Sequence, residues 1–348
     1  IARPTSTANT TLWIRDRNPN TSKAVGYGVK IKRLLRLLRT RVGLILALMA
    51  DLLLYGGPHM PGQAFQADLT AAFAAQAHVT TNWIDLPGVV GTSVGLDAAG
   101  NPVVKVYLTE MGVAALPVMV SGVDVQMEVT GPITAIEWAG GSSDNAAGAA
   151  TDAEDQAAEN SAASVDTKGT FPRPVPIGVS AGHPRVTAGT IGARATDGRD
   201  VFALSNNHVL ANSNDARPGD IMLQPGALDG GRNPEDVVGT LQDFEPIQYC
   251  VVLTCPANHI DAAIALTTPD ELRQNTPEDG YGTPRSSSVE ASLGMKVQKY
   301  GRTTGHTQGT ITGINAVIDV AYPSGTARFV DQIIITNDTM FSTGGDSG

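Results

Sequence analysis

Residues 201–210 read Val-Phe-Ala-Leu-Ser-Asn-Asn-His-Val-Leu, a short apolar run after the turn pair Asp197-Gly198, followed by a histidine at 208. A β-rich run of four residues bounded by turn residues predicts a strand, and a hairpin on its N-terminal side. The same texture extends outward over the whole of 171–348. Short β-branched runs at 186–195, 201–204, 237–241, 260–266, 295–300, 309–320 and 329–336 are separated by Gly, Pro, Asn and Asp. Helical periodicity is absent apart from one turn near 269–273. Many short strands with turn signals between them indicate a barrel or sandwich.

Three strings in this half carry chemistry. The first is the strand-end histidine, His208. The second is His259-Ile260-Asp261-Ala262-Ala263-Ile264-Ala265-Leu266, an aspartate opening a buried-type strand; the third is Gly344-Gly345-Asp346-Ser347-Gly348, a serine in a glycine-rich turn. A serine hydroxyl is a weak nucleophile and needs a base within hydrogen-bond reach. Imidazole titrates near neutrality, so His208 can take the serine proton and later return it to a leaving amine. Asp261 would fix the tautomer of that ring and stabilise its protonated form. Backbone N–H groups of Gly345 and Ser347 would face the oxyanion of a tetrahedral intermediate. Glycine suits that loop because its backbone conformations oppose a side chain. Each residue alone reads as a cap, a turn or a solvated side chain; their joint occurrence in the order His, Asp, Ser favours chemistry.

That order, on β-rich sequence, resembles the chymotrypsin/trypsin-like serine proteases. The strings SNNHVLAN (205–212), IDAAIAL (260–266) and KYGRTTGHTQGTITG (299–313) resemble more narrowly a bacterial trypsin-like group that carries a small N-terminal α/β domain. The resemblance covers about half the chain. It implies a double β-barrel, a Ser-His-Asp triad of Ser347, His208 and Asp261, and a protein or peptide substrate cleaved through an acyl-enzyme. In activated family members the acid matching Asp346 pairs with a freed N-terminus; Ile1 lies far upstream, so Asp346 is expected to bond within its own loop. The pocket strands that follow the nucleophile in the family are missing, and the second barrel has three strand candidates where the family uses six. The chain begins at Ile1 and stops one residue after Ser347, so it reads as a fragment whose C-terminal barrel is incomplete.

The remaining histidines rank lower. His259 neighbours Asp261 but projects to the opposite strand face. His183 and His306 sit in Gly, Pro and Thr turns and read as solvated, although the segment holding His306 can approach a substrate cleft. His78 stands alone and reads as solvated or core. Cys250 and Cys255 enclose four residues, and a disulfide across that loop is feasible where the Cα atoms lie within about 4.4–6.8 Å.

Upstream, 68–138 is expected to form a small α/β unit with ferredoxin-like order. Asp68 would cap a helix through 71–77, strands follow at 88–96 and 103–108, a short crossover helix at 111–116, and a strand at 123–129. Nothing in this unit forms a chemical constellation, so it is expected to be an accessory or pro-domain that contacts the barrel within the molecule. Between them, 139–170 is rich in Ala, Gly, Ser, Asp and Glu. Too few large apolar side chains are present to offset ordering entropy, which predicts a flexible linker and the domain boundary. Residues 1–67 include the basic string KIKRLLRLLRTR (30–41) and the apolar stretch 42–54, interrupted by Asp51. These resemble the two regions of a secretory signal, or alternatively an amphipathic helix; the span is too short for a bilayer, which needs about 20 apolar residues. A signal would make the protein secreted or periplasmic, and a disulfide would agree with that.

Composition sets the outer limits. The 348 residues carry Lys+Arg 24 against Asp+Glu 34, a net charge of −10, with 42% hydrophobic and 17% charged content. This is globular chemistry of about two domains at roughly 100–200 residues each. The acidic balance argues against nucleic acid as partner, since phosphate recognition needs clustered Lys and Arg. Two cysteines exclude a disulfide scaffold and multi-cysteine metal sites. Asp215, Asp220 and Asp229 lack calcium-loop spacing, and no motif calls for a metal or cofactor. The rival to an enzyme is a binding or structural protein that keeps the protease fold without turnover.

Overall fold

The computed structural model describes residues 61–112, 116–135, 165–252, 254–337 and 339–348. The signal-like stretch at 30–54 and most of the low-complexity segment lie outside the described residues. The protein is mostly β, as its alternating runs indicate.

Helix α1 (Pro61–Trp83) opens the described chain. It starts upstream of Asp68, at a proline, which suits a first turn because no N–H donor is needed there. Ala72, Ala75, Val79 and Trp83 recur at helical spacing and are buried against strands β1 (Val89–Leu96) and β2 (Pro102–Leu108). The turn joining those strands is held by Asp97, whose Oδ1 accepts the N–H groups of Ala99 and Asn101 at 2.8 Å each. Strand β3 (Met119–Val120) is a short edge, and β4 (Val123–Val129) runs parallel to β2. Of the crossover helix expected at 111–116, residues 111 and 112 form a turn and 113–115 lie outside the described residues.

The rest of the strands follow in chain order: β5 (Ser180–Ala181), β6 (Gly189–Thr190), β7 (Ala193–Thr196) and β8 (Val201–Ser205). A helical turn, α2 (Asn207–Leu210), precedes β9 (Ile221–Leu223), β10 (Val237–Phe244), β11 (Ala257–Asn258) and β12 (Ala263–Thr267). Last come β13 (Lys296–Gly301), β14 (Gly305–Tyr322) and β15 (Gly325–Thr336). One sheet has the order β7-β8-β12-β10-β9, and its inner face buries Val175, Ile177, Ile191, Ala203, Leu241 and Leu272. Each large aliphatic there contributes about 1.5–3 kcal/mol relative to exposure. A second sheet has the order β11-β15-β14-β1-β2-β4-β3, with β13 also paired to β14. Among the described residues no sheet closes on itself.

Three features of the strands and linker depart from the sequence reading. The N-terminal unit and the C-terminal hairpin share a sheet, because β1 pairs antiparallel with β14 through Gly91–Ile318, Thr92–Val317 and Val94–Ile314. Residues 165–170, expected as the end of a linker, form a bonded turn: Thr167 O accepts Ser180 N–H and Thr167 Oγ1 donates to Arg302 O at 2.5 Å. The run at 186–195 also splits into β6 and β7. At that split Gly192 approaches Gly348 closely, and a Cβ there would stand 2.4 Å from the Gly348 carbonyl carbon.

Candidate active site

The string Ser205-Asn206-Asn207-His208 is spent almost entirely on position. Strand β8 pairs with β12 through Ser205 and Ala263, and Ser205 Oγ donates to Thr190 O at 2.7 Å. Asn206 stays extended and its carbonyl accepts the N–H groups of Val209 and Leu210, starting α2. Its side-chain amide donates to Asp261 O at 2.8 Å. Asn207 reaches the other way, donating to Asn214 Oδ1 and Glu245 O. The two asparagines thus tie the histidine turn to the Asp261 segment and to the neighbouring loop.

Asp261 lies just before β12, which begins at Ala263, so it sits at a strand entrance and not within the strand. It and His208 are both buried. His208 Nδ1 and Asp261 Oδ2 are 2.5 Å apart, and the His208 backbone N–H donates to Asp261 Oδ1 at 3.3 Å. A carboxylate accepting from Nδ1–H leaves Nε2 as the acceptor nitrogen of the ring. Burial pushes the Asp261 carboxyl upward, but the charge of His208, the two hydrogen bonds from that residue and the Tyr322 hydroxyl outweigh it and hold it below the usual carboxylate range.

Tyr322, at the end of β14, is the partner the sequence did not reveal. Its hydroxyl donates to Asp261 Oδ2 at 3.0 Å, and its ring stands edge-on to His208 with centroids 6.0 Å apart. A tyrosine closing an alternating strand reads as core, and only the pairing of distant elements brings it to Asp261.

Ser347 reaches this neighbourhood through its backbone. Thr190 N–H donates to Ser347 O at 2.7 Å. Gly189 lies between, because a Cβ there would meet Val209, the neighbour of His208, at 2.4 Å and Ser347 O at 3.0 Å. The preceding loop is fixed at several points. Gly345 has φ +91°, and Asp346 is buried. Asp346 accepts from the N–H groups of Thr303, Thr304 and Thr343 and from Thr304 Oγ1, and pairs with Lys299 Nζ at 3.2 Å. Only the Thr343 bond lies within its own loop. Among the described residues no backbone carbonyl accepts from the N–H of Gly345 or of Ser347.

The other histidines fall elsewhere. His259 pairs with Asp331 at 3.5 Å, His306 contacts Gln298 at 2.9 Å, and His78 is exposed on α1. His183, expected in solvent, is buried: its Nδ1 accepts Arg185 N–H and its Nε2 lies 3.3 Å from Asp220. Burial holds that imidazole below its usual value against the raising effect of Asp220. Asp229 proves to be the partner of Arg302 in a buried pair. Cys250 and Cys255 are joined as a disulfide. Among the described residues no group of three or more His, Cys, Asp or Glu could hold a metal ion, and no helix is long and apolar enough to cross a membrane.

No family model and no curated protein matches the chain. Among solved structures it is similar to a glutamic acid specific serine protease, at 21% identity and a TM-score of 0.34, over 50% of this chain and 77% of that one. It is similar as well to Thermobifida fusca protease A, at 20% identity and a TM-score of 0.34, over 50% of this chain and 76% of that one. A third similar structure is Cellulomonas bogoriensis chymotrypsin, at 23% identity and a TM-score of 0.31, over 50% of this chain and 74% of that one.

Proposed function

We propose that the protein is a serine endopeptidase of the chymotrypsin-like class, in which Ser347 attacks the peptide carbonyl. His208 takes the serine proton and delivers it to the leaving amine, while Asp261 holds the Nδ1–H tautomer and stabilises the imidazolium. The N–H groups of Gly345 and Ser347 receive the oxyanion. The observation that carries this reading is the buried Asp261–His208 pair, with the Ser347 backbone held across Gly189 from the histidine turn. A buried carboxylate kept charged beside a histidine is costly unless its environment compensates, and such arrangements cluster where chemistry is done.

The N-terminal α/β unit acts on this reading as a pro-domain, docked by strand pairing of β1 on β14. Its chemistry-free composition and the low-complexity segment after it support that role. The disulfide supports export to an oxidising compartment.

The test is covalent. Diisopropyl fluorophosphate is expected to modify the wild-type chain at Ser347, leave Ser347→Ala and heat-denatured protein unmodified, and block hydrolysis of denatured casein. A folded wild-type chain that gains no adduct would sink the enzymatic reading in favour of a binding module. Mass spectrometry of the mature N-terminus checks export.

A further inference from the structure

Among the buried charges that the proposed chemistry leaves unused is Arg302. It lies in the turn between β13 and β14, and its Nε and NH2 donate to Asp229 Oδ2 and Oδ1, each at 2.5 Å. Asp229 is braced in turn by Ser180 Oγ at 2.5 Å. Two further N–H groups of Arg302 are directed at threonine hydroxyls. NH1 donates to Thr303 Oγ1 at 3.2 Å, and the backbone N–H donates to Thr190 Oγ1 at 3.0 Å. A hydroxyl that accepts from an arginine sends its own proton elsewhere. Thr303 Oγ1 donates to Gly344 O at 2.6 Å, and Thr190 Oγ1 donates to Gly345 O at 2.9 Å. The carbonyls of Gly344 and Gly345 are therefore held by hydroxyls that accept from residue 302, Thr303 from its guanidinium and Thr190 from its backbone.

Peptide planarity turns this into a statement about the oxyanion donor. In a trans peptide the C=O and N–H point in opposite directions. With Gly344 O on Thr303, the N–H of Gly345 must face away from Thr303 and away from the Arg302 guanidinium. The Thr190 clamp holds the next plane, Gly345–Asp346, so the Gly344–Gly345 peptide itself is restrained by the Thr303 bond, which a flip would break. Gly345 itself is required by the same contacts, because a Cβ there would stand 2.5 Å from Arg302 NH1 and 2.7 Å from Thr303 Oγ1.

We infer that the Arg302 guanidinium, through Thr303, is the positioning device that fixes the Gly345 N–H as an oxyanion donor. The inference rests on the endopeptidase reading for its consequence, but the peptide orientation stands apart from it. Thr303 is exposed, so its substitution does not threaten the core. In the full chain, Thr303→Val removes the donor at constant shape and Thr303→Ser retains it. Under phosphonylation by diisopropyl fluorophosphate, Thr303→Val is expected to lower the maximal rate kinact by about 10- to 100-fold, part of the loss seen when one oxyanion donor is deleted. KI should stay within twofold, and Thr303→Ser should react like wild type. An unchanged kinact in Thr303→Val, or a change confined to KI, overturns the inference. If the wild type gains no adduct, the endopeptidase reading fails, and crystal structures of the three proteins decide the positioning claim by themselves. A single Gly344–Gly345 orientation in wild type and Thr303→Ser, with a reversed or mixed peptide in Thr303→Val, supports it; the same orientation in all three overturns it.

Discussion

Asp261 shows how a single residue's surroundings set its role. Its carboxylate collects the imidazole Nδ1, the His208 backbone N–H and the Tyr322 hydroxyl, and together they keep it ionised despite burial. Because its folded value is depressed, its contribution to stability is fully present above the unfolded value, about 3.9, and is lost as pH falls through the lower folded value. Tyr322→Phe removes one donor and keeps the ring. That change should cost about 1.5–3 kcal/mol, the worth of a hydrogen bond to a charged group, and should move the acid unfolding midpoint to higher pH. Chemical denaturation of both proteins between pH 3 and 7 checks it, and a uniform loss at every pH would assign Tyr322 to packing instead.

At the scale of elements, the serine loop depends on strands that hold it from outside. Gly189 in β6 lies against both Val209 and Ser347 O. Gly189→Ala should displace the serine loop or the histidine turn by about 1 Å, the shift that takes a 2.4 Å approach to ordinary contact. Misplacement of that order can cost about 100-fold in rate, which labelling kinetics would read while circular dichroism stays unchanged. Lys299, on β13, is the counter-charge of Asp346. Burial pulls its pKa down against the opposing pull of Asp346. Lys299→Met leaves a buried carboxylate with hydrogen bonds but no cation. A destabilisation of about 3–5 kcal/mol is expected, measurable as a fall in the urea midpoint. The sequence reading confined Asp346 to its own loop because it treated that loop alone; the threonine and lysine partners come from a hairpin some forty residues upstream, near enough only once β13 and β14 fold back.

For the whole molecule, the seam between the N-terminal unit and β14 carries a second decision. Gln76 on α1 is buried and exchanges two hydrogen bonds with Asn315: its Nε2 donates to Asn315 O at 2.9 Å and Asn315 Nδ2 donates to its Oε1 at 2.6 Å. Asn315 has φ +53°, where β14 bulges and its registers with β1 and β15 shift. A buried amide that recognises a bulge penalises every other register, since a slip leaves both amides unsatisfied. Gln76→Ala should therefore lower stability by about 1–3 kcal/mol and raise hydrogen exchange along β1 and β14 together. Exchange that rises on α1 alone would show that the pair does not hold the seam.

The strand texture of 171–348 and the three strings containing His208, Asp261 and Ser347 were written in local sequence, because turn chemistry and period-two alternation act over a few residues. The roles of Asn206 and Asn207 were half legible: polar residues between a strand and a histidine invite capping, but their acceptors on Asp261 and Asn214 are set by packing. Arg302 and Thr303 lay within the string KYGRTTGHTQGTITG without showing their roles, and Tyr322, Thr190 and the Gln76–Asn315 pair carried no local signal. Each acts through a partner far away in the chain, and which partners meet is decided by strand order and by the bulges that set register. Sequence by itself thus determined the β class and named the residues of the proposed triad. Only the tertiary structure decided which hydrogen bonds hold them, because those bonds form after distant strands have paired and water has been excluded around them.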